Sequence, residues 1–138
     1  MRQIIFLKKN IFSLILFTFL SIGFKSYAQT HVVGGHETYK FWAGEYPDST
    51  RKVINGEYWD YSHFSKEYKL YMEIIVKPST AKYFITDNNL KRGKYKILSG
   101  TPKWFRPPKR YEVWTGSQES IYYINTKTGH IYMFEVQL

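Results

Sequence analysis

The chain has no cysteine, so no disulfide staples it, no thiolate does chemistry in it, and no lipid-modified cysteine follows a leader. It also lacks a long apolar run. The longest, 11–24, is shorter than the about 18 residues a membrane-spanning helix needs. Acidic residues are few, 11 against 20 lysines and arginines. There is no phosphate-cradling glycine loop, no serine nucleophile elbow, no zinc-protease histidine spacing and no calcium-loop spacing, which removes the motif-bearing enzyme classes.

What is present starts with a targeting signal. Arg2, Lys8 and Lys9 precede the apolar run, and Ser26-Tyr27-Ala28 supplies small residues at a cleavage position. Residues 1–28 therefore read as a signal peptide, with export to the periplasm or the outside and no membrane span after cleavage. Cleavage leaves 110 of the 138 residues. Because Arg2, Lys8, Lys9 and Lys25 leave with the signal, the formal charge falls from +9 to +5. That excess suits an anionic surface or polymer but does not demand one. Of the 27 aromatic residues, 21 stay in the exported part. Tyrosine dominates, which places many rings where the body is buried and the hydroxyl meets water or a partner.

The clearest local signal is the last stretch, 111–138, read as a hairpin of aromatic strands. Two β-prone runs, Ile121-Tyr122-Tyr123-Ile124 and Ile131-Tyr132-Met133-Phe134, flank Asn125-Thr126-Lys127-Thr128-Gly129. Asn125 can bond backbone at the turn entrance, and Gly129 can take the positive φ that closes it. By alternation Tyr132, Phe134, Val136 and Leu138 are expected in the core. Tyr122-Tyr123-Ile124-Asn125 followed by Thr128 resembles the central strand of a WW domain, a small sheet that binds proline-rich peptides. Met133 stands where that family has its ligand-stacking tryptophan, Thr126 where a histidine is usual and Arg110 where its first tryptophan falls. The likeness is therefore one of turn chemistry, and the chain is not assigned to the family.

Upstream, 29–37 reads as a flexible N-terminal arm and 38–138 as one β-rich domain. Tyr39, Phe41 and Ala43 alternate with Lys40 and Trp42, predicting a first strand over 38–44. Asn55-Gly56 predicts a tight hairpin turn that sets Val53 opposite Tyr58. Alternation over 67–77 predicts a strand with Tyr68, Leu70, Met72, Ile74 and Val76 on its buried face. Pro78 ends it, and Ser79 is the expected N-cap of a helix over 80–89, with a strand through Tyr83-Phe84-Ile85-Thr86 as the alternative. Lys91-Arg92-Gly93 reads as a basic turn before a short strand, 94–98. The expected fold is α+β, a dominant antiparallel sheet of about seven strands with one short helix, with an all-β barrel or sandwich as the alternative.

For function, the loop around Lys103, Trp104, Phe105 and Arg106 stands out, bracketed by Pro102 and by Pro107-Pro108. Adjacent rings on an extended backbone point to opposite sides, so one can anchor in the core while the other stays available. His31, His36, His63 and His130 read as solvated, and the glutamates as scattered over polar faces. If export leaves a free Gln29 amine, then that amine, two backbone amides and His31 could form a square-planar Cu(II) or Ni(II) site. No cofactor is expected and no nucleic-acid role. The leading expectation is an exported, non-catalytic binding or accessory domain. Its partner would be a protein, an envelope glycan or an anionic polymer. The alternative is a small carbohydrate-active protein, either a sugar-binding module or a glycoside hydrolase.

Overall fold

The computed structural model describes residues 30–61 and 67–138; the signal-peptide reading, Gln29 and His63 lie outside the described residues. One open antiparallel sheet of seven strands carries two short helices, so the fold is α+β with a dominant sheet. In chain order these are β1 (Thr30–Val33), α1 (Gly35–Ala43), β2 (Lys52–Asp60), β3 (Tyr68–Ile75), α2 (Pro78–Asp87), β4 (Lys91–Arg92), β5 (Glu112–Thr115), β6 (Ile121–Asn125) and β7 (His130–Gln137). The spatial order is β1-β2-β3-β7-β6-β5-β4. The chain thus leaves β3, crosses with α2 to the far edge, and returns strand by strand until β7 pairs with β3.

Several local expectations give way to tertiary packing. Residues 30–37 are not a loose arm: they form β1 and open α1. The expected strand at 38–44 is part of that helix, because Thr38, Tyr39 and Trp42 also fit a helical face. Thr38 and Tyr39 are buried, and Gly44 closes the helix in the left-handed region with its N–H on the Lys40 carbonyl at 2.8 Å. Asn55-Gly56 makes no turn and lies inside the single strand β2. A Cβ at Gly56 would sit 2.5 Å from the Thr38 Cβ, so glycine there admits the helix, and its carbonyl accepts the Gly34 N–H at 2.9 Å.

The helix expected at 80–89 runs Pro78–Asp87 and turns Ala81 and Ile85 inward. Its N-cap is the extended Lys77 rather than Ser79, since Pro78 in the first turn has no N–H to be capped. The basic pair Lys91–Arg92 is an edge strand, and 94–98 is irregular. The final hairpin forms as the turn chemistry predicts. Asn125 Oδ1 accepts the Lys127 and Thr128 N–H groups at 3.1 and 3.3 Å, and Gly129 has φ 74°.

The core has two layers, one on each side of the sheet. The helical face packs Tyr39, Leu70, Met72, Ile74, Ile85 and Met133. The other face packs Tyr71, Tyr111, Val113, Tyr123 and Tyr132 against Phe105 of the 93–111 connection. Burial of both faces corrects the one-sided reading of β3 and β7. The odd set Ile131, Met133 and Glu135 faces the helices, whereas Leu138 is 84% exposed.

Tyrosines in this core make stability depend on alkaline pH. Burial, helped by the Tyr95 phenol, pushes Tyr123 from an ordinary 10.0 to about 12. Burial likewise raises Tyr68 and Tyr122, with the Glu135 carboxylate adding to the effect. The native state therefore keeps protons that the unfolded chain releases above pH 10, so this contribution is intact below 10 and is lost as pH climbs toward 12. Denaturant midpoints measured across that window should fall steadily; a flat profile would contradict the burial of these phenols.

Candidate functional site

The face opposite the helices carries the groups that chemistry could use. Register brings His31 of β1 opposite Trp59 of β2, and their rings stack at 4.7 Å with planes 10° apart. Lys69 pairs with Trp59 from the other side and holds its Nζ 5.6 Å from that ring and 5.1 Å from Tyr71. Two residues before Trp59, and so on the same face, Glu57 places Oε2 3.5 Å from His31 Nε2.

The 93–111 connection supplies the rest. Phe105 N–H closes onto the Pro102 carbonyl at 2.9 Å and Tyr111 N–H onto Pro108 at 3.0 Å. Tyr95 Oη donates to the Pro107 carbonyl at 3.0 Å, so the prolines set the loop's corners. Phe105 is 5% exposed and meets Tyr71 at 5.1 Å and Tyr132 at 5.6 Å. Trp104, in the turn just before it, is half-buried; its ring meets Phe105 edge-on at 5.8 Å and packs against the same core layer, its Nε1–H donating to Glu57 Oε1 at 3.4 Å. Lys103 and Arg106 are exposed. A cleft of about 290 Å³ inside the loop is walled by Tyr95, Leu98, Phe105, Arg106 and Pro107. The fold thus joins Trp104 to Glu57, His31 and Trp59 along one edge, with the two cations flanking the rings.

A second cluster lies further along the same face. Glu73 accepts Asn55 Nδ2–H at 2.7 Å and bonds His130 Nε2 at 3.0 Å. The other ring nitrogen of His130, Nδ1, bonds Tyr111 Oη at 2.8 Å. With Nε2–H given to the carboxylate, Nδ1 accepts from the phenol. The expectation of solvated histidines and polar-face glutamates is corrected here for His130, Glu73 and Glu135, whereas His31 and His36 are exposed as expected. The His130 side chain is only 21% exposed, and Glu73 and Glu135 are each 8% exposed. Both His130 nitrogens are engaged within the chain, so the arrangement ties β2, β3 and β7 to the 93–111 loop and leaves neither nitrogen for a substrate.

The signal for these buried acids was present in the sequence as a carboxylate within an apolar run, Met72-Glu73-Ile74 and Phe134-Glu135-Val136. Such an acid has to find donors inside. Burial raises the Tyr71 phenol beneath Phe105, with the Tyr61 phenol and the Glu57 carboxylate adding to it. Among the described residues no group of three or more histidines and acids could hold a metal ion; His31 stacks on Trp59 and lies beside Glu57, and the amine expected to join it belongs to Gln29, outside the described residues. No helix among the described residues is long and apolar enough to cross a membrane. None of the family models, characterised proteins or solved structures compared with this chain matches it, and the chemistry of this surface is read from its own residues.

Proposed function

We propose that this chain is an exported, non-catalytic binding domain that recognises a component of the cell envelope through the 93–111 loop and the adjoining β1–β2 edge. The observation that carries the reading is the division of labour between Phe105 and Trp104. One ring is locked into the core, so the loop is positioned before any partner arrives, which reduces the ordering cost of binding. The other is half-buried and held by Glu57, amphipathic in the manner of residues that dominate recognition surfaces. Exposed Lys103 and Arg106 beside it suit an anionic or hydroxyl-rich surface. The leader-like N-terminus supports export.

All four tryptophans are half-buried, and three of their indole N–H groups donate to glutamates: Trp42 to Glu135, Trp104 to Glu57 and Trp114 to Glu112. Among the described residues, only Trp104 of the four sits in a loop, flanked there by the exposed Lys103 and Arg106.

The test is co-sedimentation with isolated envelope fragments, separated into glycan and protein fractions, using the wild type and a Trp104→Ala, Arg106→Ala variant. Tryptophan and arginine at a contact centre contribute about 2 kcal/mol or more each. The variant should therefore bind at least about tenfold more weakly while melting close to the wild-type temperature. Equal capture of the two proteins removes the loop from the reading.

A further inference from the structure

The helical face holds a second buried carboxylate beside a cleft, away from the loop. Glu135 lies at the end of β7 and is 8% exposed. Its Oε2 accepts Trp42 Nε1–H at 2.8 Å and Tyr68 Oη–H at 2.9 Å, and its Oε1 accepts Tyr122 Oη–H at 2.8 Å. A carboxylate offers about four lone-pair positions, so one on Oε1 is left over. Every donor is neutral, and among the described residues no lysine, arginine or histidine forms an ion pair with this acid. A buried carboxylate without a cation is costly even when hydrogen-bonded.

Glu135 lines an open cleft of about 290 Å³ together with Tyr68, Tyr122, Ser117, Gln118 and Asn88. It is open to solvent and roomy enough for a small ligand. The mouth is a built feature. Gln118 and Glu119 both adopt left-handed backbone, φ 51° and 65°, in a turn closed by Ser120 N–H on the Ser117 carbonyl at 3.0 Å. Non-glycine residues held there are strained, and such strain persists only where the surroundings enforce it. Gln118 is fastened in turn to the chain end, accepting the Leu138 N–H at 2.8 Å.

We infer that this cleft binds a small organic cation with a primary ammonium group, which donates to Glu135 Oε1 between the Tyr68 and Tyr122 side chains and supplies the positive charge the chain does not. The lining is almost wholly polar, formed by the amide, hydroxyl and carboxylate groups, which suits a ligand that carries hydroxyls beside its charge. The probe is ethanolammonium titrated into the full chain, with ethylene glycol as the neutral comparison, followed by calorimetry and by the indole ¹H–¹⁵N resonance of Trp42.

The expected result is a saturable Trp42 shift with ethanolammonium and none with ethylene glycol. Binding should be at least tenfold weaker in Glu135→Gln. Tyr122→Phe, which keeps the carboxylate and frees a second position on Oε1, should bind as tightly as the wild type or more tightly. It carries the test if the glutamine variant does not fold. Absence of saturation, an equal response to ethylene glycol, unchanged affinity in Glu135→Gln, or loss of binding in Tyr122→Phe each overturns the inference.

Discussion

Gly129→Ala is expected to lower stability by roughly 3–5 kcal/mol, more than the same change at the other described glycines of positive φ, whose added Cβ meets nothing within 4 Å. The glycine has φ 74°, and a Cβ on it would lie 1.8 Å from the Val76 carbonyl oxygen. An L-residue in the left-handed region costs about 1–2 kcal/mol. Forcing atoms into filled space costs about 1–3 kcal/mol more. The clash is with backbone, so no rotamer change relieves it, and it breaks the bond from Val76 N–H to the Gly129 carbonyl, now 3.0 Å. That bond ties the β6–β7 turn to the end of β3.

Against a total of about 5–15 kcal/mol for a domain of this size, the loss should move a denaturant midpoint far to the left. Gly100→Ala is the internal comparison. Gly100 has φ 67° and nothing within 4 Å of the added Cβ, so it should lose only about 1–2 kcal/mol. Equal losses in the two variants would show that the contact with Val76 is not made.

Glu135→Ala should cost about 3 kcal/mol, for a different reason. It orphans the Trp42, Tyr68 and Tyr122 donors at once, and a buried donor without a partner costs about 1–3 kcal/mol. Water entering from the adjoining cleft keeps each loss at the low end. The acid also connects elements distant in sequence, since Trp42 on α1 and Glu135 on β7 are 93 residues apart. A double-mutant cycle with Tyr122→Phe should give a coupling of about 0.5–3 kcal/mol, because the second change removes one of the donors that the first leaves stranded. Single and double variants whose effects simply add would mean that Glu135 and Tyr122 do not act as a unit.

The two glycine-bearing turn signals show where local chemistry is a sufficient guide. Asn125 and Gly129 act on backbone within five residues, so the C-terminal hairpin was legible before any fold was known. Asn55-Gly56 carried an equally strong turn signal and was overruled, because Thr38 packs where a Cβ on Gly56 would go and Asn55 spends its amide on Glu73. Neither partner is near in sequence. The opposite case is Gln118-Glu119, a left-handed pair with none of the residues such a turn favours. The bonds from Gln118 to Leu138 help hold it, and no local pattern announces them.

The candidate site divides in the same way. The proline brackets mark the loop, but the expectation that adjacent rings point to opposite sides fails, because the turn closed by Phe105 N–H on the Pro102 carbonyl brings Trp104 and Phe105 into edge-on contact against one core layer. That Trp104 meets Glu57, 47 residues away, and lies along the edge where His31 stacks on Trp59 does not follow from local pattern either. Nor could alternation say which face of β7 meets the helices, because apolar and aromatic residues occupy both.

Composition and short-range pattern by themselves determined a cysteine-free, tyrosine-rich antiparallel sheet with a leader-like N-terminus and an aromatic, basic loop. These depend on backbone preference and on side-chain period, which act over a few residues. Only the tertiary structure decided that 35–43 is a helix, that β3 pairs with β7, and that Glu73 and Glu135 lie inside among phenols, indoles and an imidazole. The reason is energetic: a buried carboxylate or a close helix contact is stabilised by partners tens of residues away, and those long-range terms outweigh the few tenths of a kcal/mol to about 1 kcal/mol by which local propensities differ.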